Sequence, residues 1–167
     1  MSHGLSRIST DQDRPYSVNS LVMDGACDRL KHSELTEKII GIFYDVYNEL
    51  GSGFLESTYS GAMAMALEAS GLMVECEVSI PVWFRGQKIG QYFADLVVNQ
   101  TVLLELKAAR TLDPAHEAQL HYLRATELEV GLLLNFGARP QFRRLLFDNE
   151  RKKIRGNPCE SVAKVSA

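Results

Sequence analysis

The sequence lacks any long hydrophobic run. No apolar stretch approaches the roughly 20 residues that a membrane-spanning helix needs, although 46% of the 167 residues are hydrophobic. The N-terminal segment MSHGLSRISTDQDRPYS also lacks the apolar core of a signal peptide. These absences argue against a membrane partner and predict a cytoplasmic protein.

Cysteine is scarce, and positive charge is not in excess. Cys27, Cys76 and Cys159 are odd in number and far apart, so they predict neither a disulfide framework nor a zinc site. The net charge of −3 argues against a uniformly basic surface for nucleic acid. Local binding stays open, because acidic residues gathered in a metal site would account for part of the negative charge.

The length suits one domain with a hydrophobic core. Residues 1–32 are polar and aperiodic, which predicts an extended or disordered N-terminal arm. An ordered arm that binds another copy of the chain, and so gives a homo-oligomer, is the alternative. Residues 33–147 carry the periodic patterns of the domain, and residues 148–167 predict a basic C-terminal tail.

Two helices are predicted at the start of the domain. Ser33 suits an N-cap and Gly51 a terminator, with apolar residues on one stripe between them. The second helix is predicted over Phe54–Ser70. Its Glu56 falls on the apolar face, where a carboxylate needs a partner. That partner is either a local hydrogen-bonding group or a metal site. The local candidates are a backbone amide and Tyr59.

Strands are predicted in the centre of the sequence. Residues 74–84 alternate between apolar and polar, as in a half-exposed strand, and Pro81 favours a sheet edge. Phe93–Ala108 contains two apolar runs around a polar break, which predicts a hairpin. After a helix that begins at Asp113-Pro114, the run VGLLLNF and residues 142–147 predict two more strands.

Three charges interrupt the apolar hairpin. Asp95 lies in its first strand, and Glu105 and Lys107 lie in the second. Because side chains alternate, Glu105 and Lys107 share a face about 7 Å apart, and Phe93 shares the face of Asp95. Charges on such an apolar strand need a partner or a metal ion, and oxygen ligands suit Mg²⁺. The spacing fits a divalent-metal site and a salt bridge equally well.

The register of the hairpin decides whether the two carboxylates can meet. A two-residue turn at Asn99-Gln100 would put Asp95 and Glu105 on opposite faces of the sheet. A three-residue loop pairs Val98 with Val102 and brings the carboxylates opposite each other. Because Asn-Gln lacks the glycine of a tight turn, we expect the longer loop or a bulge with the same effect.

The segment 139–155 is rich in Arg and Lys. Such a run is usually a solvated surface, and it also suits contacts with phosphate groups. Arg143, Arg144 and Lys152 are the candidates for non-specific binding of nucleic acid.

Three stretches, which read in chain order GFLESTY, LLELKA and GLLLNFG, carry a resemblance to a known group of proteins. Asp95 followed by Glu105-Leu106-Lys107 resembles the PD-(D/E)XK nuclease superfamily. Gly53-Phe54-Leu55-Glu56-Ser57-Thr58-Tyr59 resembles the motif of a small prokaryotic family within it, the GxxExxY family. The similarity extends from Leu35 to Phe147.

The resemblance implies an α/β (α+β) fold in the order ααβββαββ, with a central mixed sheet flanked by helices. It implies that Asp95 and Glu105 hold one or two Mg²⁺ or Mn²⁺ ions and that Glu56 completes the metal site. Lys107 would position or help to activate the attacking water, or stabilise charge on the phosphate.

Gln119 and Tyr122 match a third motif that lies near the site in the superfamily. Two departures from the family pattern are present. Gln119 and Tyr122 are separated by one residue fewer than in relatives, which rotates them by about 100° on an α-helix. The residue before Asp95 is Ala94, where the superfamily often has Pro.

The implied activity is metal-dependent hydrolysis of phosphodiester bonds in nucleic acid, with DNA favoured over RNA as the partner. The alternative is a nuclease fold that serves as a nucleic-acid-binding or assembly module without turnover, because a fold does not establish a function.

Overall fold

The computed structural model describes residues 31–152. The arm expected over residues 1–32 and the tail expected over 148–167 lie largely outside the described residues. The elements in order are α1 (Ser33–Leu50), α2 (Glu56–Ala69), β1 (Val74–Phe84), β2 (Gln87–Val98), β3 (Val102–Lys107), α3 (Pro114–Gln119), a central 3₁₀ helix (Leu120–Ala125), β4 (Val130–Asn135), β5 (Gln141–Leu146) and a C-terminal 3₁₀ turn (Asn149–Arg151). Within residues 31–152, no helix combines the length and the apolar character needed to cross a bilayer.

The five strands form one mixed sheet in the order β1-β2-β3-β4-β5. β3 and β4 are parallel, and the other neighbours are antiparallel. Every residue of the two central strands, β3 and β4, is buried, as their continuous apolar runs predict. The predicted mixed sheet, the element order and the edge position of the strand that contains Pro81 are confirmed.

A hydrophobic core lies on each face of the sheet. The helix-side core packs α1 and α2 against side chains such as Leu104 and Leu132. The opposite core packs the central 3₁₀ helix, through Leu120 and Leu123, against residues that include Leu103 and Leu133. The C-terminal end of β3 therefore lies between two packed layers.

The β2–β3 hairpin has the predicted register, with Val98 paired to Val102. Asn99 and Gln100 both have positive φ, of 50° and 52°, as in a type I′ turn, and the Thr101 amide donates to the Val98 carbonyl. Thr101 is the extra residue that shifts the register. Two non-glycine residues therefore form the tight turn, and the third residue still gives the expected pairing.

The ladder between β1 and β2 is irregular beside Asp95. Glu77, which would pair with Asp95, has a φ of 51°. Leu96 packs in the helix-side core, whereas Ala94, two residues earlier, packs in the opposite core. Residues two apart share a face in a regular strand. β2 therefore turns over at Asp95, which means that its side chains exchange faces of the sheet there.

This turnover changes which aromatic side chain faces the hairpin carboxylates. Tyr92 packs against the core of the central 3₁₀ helix, and Phe93 is 55% exposed. The expectation that Phe93 shares the face of the charged residues is wrong, because strict alternation fails at an irregular strand position.

The first two helices start one or two residues from the expected positions, and the third, expected to run to about Ala125, changes to a 3₁₀ helix after Gln119. Ser33 is the first helical residue rather than the N-cap, and the capping position is His32, which has left-handed backbone. α2 begins at Glu56. α3 begins as predicted, with the Asp113 side chain accepting hydrogen bonds from two backbone amides, but its α-helical part ends at Gln119.

Candidate active site

Glu105 and Lys107 form a buried ion pair at the C-terminal end of β3. The two side chains lie on one face of the strand, and the distance from Lys107 Nζ to Glu105 Oε1 is 2.8 Å. Glu105 is 3% exposed and Lys107 is 9% exposed. The salt bridge considered from the spacing is therefore present, but in the interior rather than in solvent.

Asp95 lies where the pairing of β2 with β3 ends. The last pair of the ladder is Leu96 with Leu104, and beyond it the Asp95 carboxylate accepts a hydrogen bond of 2.7 Å from the Leu106 amide. The carboxylate thus satisfies a donor on the central strand. Burial raises the pKa of Asp95 against the lowering effects of this hydrogen bond and of the charge on Lys107.

Both oxygens of the Glu105 carboxylate have donors. Lys107 donates to Oε1, and the hydroxyl of Tyr92 donates to Oε2. Burial raises the pKa of Glu105, and the two hydrogen bonds offset part of that effect. Burial alone would lower the pKa of Lys107, but its hydrogen bond to Glu105 and the charges of Glu105, Glu56 and Asp95 raise it.

Glu56 reaches this cluster from the first turn of α2. Its Oε1 accepts a hydrogen bond of 3.3 Å from the Ala108 amide, and its Oε2 is 3.6 Å from Lys107 Nζ. Its side chain is 52% exposed, so the expected burial on an apolar helix face is wrong. The Glu56 carboxylate nevertheless contacts the C-terminal end of β3, through the Ala108 amide and the Lys107 ammonium.

Tyr122, from the third motif, is linked to Glu105 through a stacking contact with Tyr92. The ring of Tyr122 stacks on that of Tyr92, with the centroids 4.1 Å apart and the planes 4° from parallel. Gln119 ends α3, and a 3₁₀ helix follows. Because residues three apart eclipse in a 3₁₀ helix, this winding offsets part of the rotation that the short spacing of Gln119 and Tyr122 would give on an α-helix.

Two side chains of this region stand out. The Gln119 side-chain oxygen is buried and has no hydrogen-bond partner among the described residues. Sequence reasoning missed Tyr92, because regular alternation placed it on the face away from Glu105. The turnover of β2 at Asp95 brings it to Glu105, and no signal in the sequence marks the left-handed backbone of Glu77.

The carboxylates are not gathered into a ready-made metal site. In the part of the chain that the structure describes, no group of three or more His, Cys, Asp or Glu side chains is close enough to hold a metal ion. The ammonium group of Lys107 lies between Glu105 and Glu56 and contacts both. Among the described residues, this ammonium is the cation that forms ion pairs with the two carboxylates.

The basic residues expected at a phosphate surface make contacts within the chain. Arg143 pairs with Glu117 at 3.3 Å, and Arg144 donates to the Lys31 carbonyl. Lys152 is buried, and its ammonium donates to the carbonyls of two residues before β4. Contact between these side chains and phosphate stays a prediction.

Comparison with protein families identifies the chain. Residues 33–145 match the model of the PD-(D/E)XK nuclease superfamily. This match spans more than half of the 167 residues, and the chain belongs to that superfamily.

No protein with a curated description matches the chain. A solved structure titled "Crystal structure of SSO0001" is similar at 17% identity, with a TM-score of 0.39, over 74% of this chain and 64% of that chain. The chain thus spans less than two thirds of that structure.

Proposed function

We propose that this protein is a Mg²⁺- or Mn²⁺-dependent nuclease of the GxxExxY family that hydrolyses phosphodiester bonds in nucleic acid. Members of the superfamily are in general nucleases that use divalent metals, and many are inactive. The observation that supports activity is the meeting of Asp95, Glu105 and Lys107 where β2 leaves β3. Glu56 approaches the same strand end from α2.

The donor set fits a hard divalent cation. Asp95 and Glu105 offer carboxylate oxygens, the ligands that Mg²⁺ and Mn²⁺ prefer. Burial raises the pKa of both carboxyl groups, which means that their negative charges are incompletely compensated. A cation held by Asp95 and Glu105, with Glu56 at the exposed side, would supply the missing charge.

When bound, such an ion polarises the scissile phosphate and lowers the pKa of the attacking water. Lys107 has a different task in the proposal. Without a metal ion, its hydrogen bond to Glu105 and the neighbouring carboxylates raise the pKa of Lys107, so the side chain is a cation in this structure. Its ammonium would stabilise the negative charge that develops on the phosphate.

A catalytically silent module is the second candidate. It is favoured by the contacts of the Lys107 ammonium with Glu105 and Glu56, which partly neutralise the carboxylates without any metal. Such a protein would bind nucleic acid or assemble with partners without cleaving a bond.

Cleavage assays separate the two candidates. Labelled DNA and RNA, single- and double-stranded, are incubated with the protein and Mg²⁺, Mn²⁺ or EDTA. We expect cleavage with either metal and none with EDTA, with DNA the better substrate. Asp95→Asn and Glu105→Gln, which preserve side-chain shape, should each lower the rate by at least about 10- to 100-fold, the loss typical of residues that only orient a metal ligand.

Lys107→Met should lower the cleavage rate by roughly 100-fold or more. Mn²⁺ binding should persist through the two carboxylates, but at an affinity lowered by about 10- to 100-fold, because the ammonium that orients Glu105 is lost. Glu68→Gln is the matched control, because Glu68 is an exposed acid on α2, and it should cleave like the wild type. Mn²⁺ or nucleic-acid binding without cleavage would favour the silent module. Absence of both cleavage and Mn²⁺ binding would contradict the nuclease proposal.

A further inference from the structure

Tyr92 holds one side of a candidate metal ligand. Its hydroxyl donates to Glu105 Oε2, while Lys107 donates to Oε1. A carboxylate offers about four lone-pair positions, so two donors fix its plane and leave positions for a cation. Without the hydroxyl, Lys107 alone would orient the group, and the carboxylate could rotate about its bond to Cγ.

The ring of Tyr92 is itself held in place. It stacks in parallel on Tyr122 with the centroids 4.1 Å apart, and it packs against the core formed with the central 3₁₀ helix. Tyr122 is 39% exposed and forms the outer member of the stack. The stack therefore links the central 3₁₀ helix to the carboxylate of Glu105.

We propose that Tyr92 is a positioning residue for Glu105 and that Tyr122 acts on the site through Tyr92. The role in metal binding rests on the proposed function, in which Glu105 is a ligand. Residues that hydrogen-bond to a metal ligand orient it, and their loss typically lowers metal affinity by about 10- to 100-fold.

The first test measures Mn²⁺ affinity of the full chain by calorimetry, without substrate. Tyr92→Phe keeps the ring and removes the hydroxyl, and we expect affinity to fall by about 10- to 100-fold. Tyr47→Phe is the control, because the Tyr47 hydroxyl donates to main-chain carbonyls of Gly137 and Ala138 instead. It should bind Mn²⁺ like the wild type.

Each variant is also melted, so that a loss of fold is recognised. Weaker Mn²⁺ binding at an unchanged Tm supports positioning, because a merely structural hydroxyl would change Tm and leave affinity alone. Unchanged or tighter Mn²⁺ binding by Tyr92→Phe would overturn the proposal, since the hydroxyl would then be neutral or obstructive.

The second test addresses the stack. Tyr122→Ala removes the outer ring and should weaken Mn²⁺ binding in the same direction as Tyr92→Phe. Tyr122→Phe restores a ring and should recover most of the affinity. Equal affinities of the alanine and phenylalanine variants would show that stacking does not act on Glu105.

A metal-free measurement keeps this inference separate from the proposed function. The side-chain carboxyl ¹³C signal of Glu105 is compared in the wild type, Tyr92→Phe and Tyr47→Phe. A shift in Tyr92→Phe alone shows that Tyr92 holds the carboxylate, even if the wild type binds no Mn²⁺ and the nuclease proposal fails. An unshifted signal overturns the positioning role, whatever the metal affinity.

Discussion

Asp95 is a partly buried carboxylate with few compensating contacts. It accepts one hydrogen bond, from the Leu106 amide, and burial raises its pKa. A carboxyl group whose pKa is higher in the folded state than in the unfolded chain binds its proton more tightly when folded. Its penalty on stability is therefore small below about pH 4 and grows as pH rises through the folded-state pKa.

Asp95→Asn should therefore stabilise the metal-free protein at pH 8. We expect a gain of about 0.5–2 kcal/mol in the free energy of unfolding, which shrinks as the pH falls toward 4, because the wild-type carboxyl group is then protonated. Urea unfolding between pH 4 and pH 8 in EDTA measures this gain. Asp45→Asn, on the exposed face of α1, is the control and should show no such trend. A variant less stable than the wild type at pH 8 would contradict the prediction.

At the scale of elements, the central 3₁₀ helix is held close to β4 by a glycine. A Cβ atom at Gly131 would lie 2.6 Å from Leu123 Cδ1 and 3.0 Å from Leu120 Cδ2. Both contacts are closer than packed carbon atoms allow. Gly131 thus sets how near the helix that carries Tyr122 can approach the sheet.

Gly131→Ala should lower the free energy of unfolding by about 1–3 kcal/mol, the usual effect of overpacking a core. Gly61→Ala is a matched control on α2, where an added Cβ meets nothing within 4 Å. It should raise stability by about 0.5–1 kcal/mol, because alanine loses less entropy in a helix. The two variants should therefore shift the urea midpoint in opposite directions, and a stabilised Gly131→Ala would contradict the close packing.

Local chemistry in the sequence predicted much of this arrangement. The Asp113-Pro114 start of α3 follows from capping, and the pairing of Val98 with Val102 follows from the need to bring Asp95 opposite Glu105; both are confirmed. The turn residues did not predict this pairing, because Asn99 and Gln100 form a tight turn without glycine. The left-handed backbone at Glu77 could not be predicted, because nothing in a glutamate favours it. The contact of Tyr92 with Glu105 depends on that irregularity and was missed for the same reason.

At the scale of the whole molecule, Lys152 ties the last described residues after β5 to the segment before β4. The Lys152 ammonium is buried and donates to the carbonyls of Thr126 and Leu128, and burial lowers its pKa. Arg143 keeps a partly exposed side chain next to Glu117. The two residues therefore differ in how freely they can meet a phosphate group.

Arg143→Gln should weaken non-specific DNA binding and reduce the slope of log affinity against log salt by about one. Lys152→Met should reduce that slope by less, because the Lys152 ammonium donates to main-chain carbonyls. It should also lower the free energy of unfolding by about 1–3 kcal/mol, because the partly buried Thr126 and Leu128 carbonyls each lose a charged donor. Binding titrations at several salt concentrations, with urea melts of both variants, measure these effects. An unchanged salt slope in Arg143→Gln would show that Arg143 is a solvated surface residue that does not contact phosphate.

The 3₁₀ winding after Gln119 also affects how relatives of this chain can be found. The segment Leu120–Ala125 has six residues and rises about 12 Å, the length of about eight α-helical residues. Three residues of 3₁₀ helix rise about 6 Å, as four residues of α-helix do, so this winding offsets the rise that the shorter Gln119–Tyr122 spacing would lose. A sequence pattern that requires three residues between Gln and Tyr would therefore miss this chain, in which two residues separate Gln119 from Tyr122.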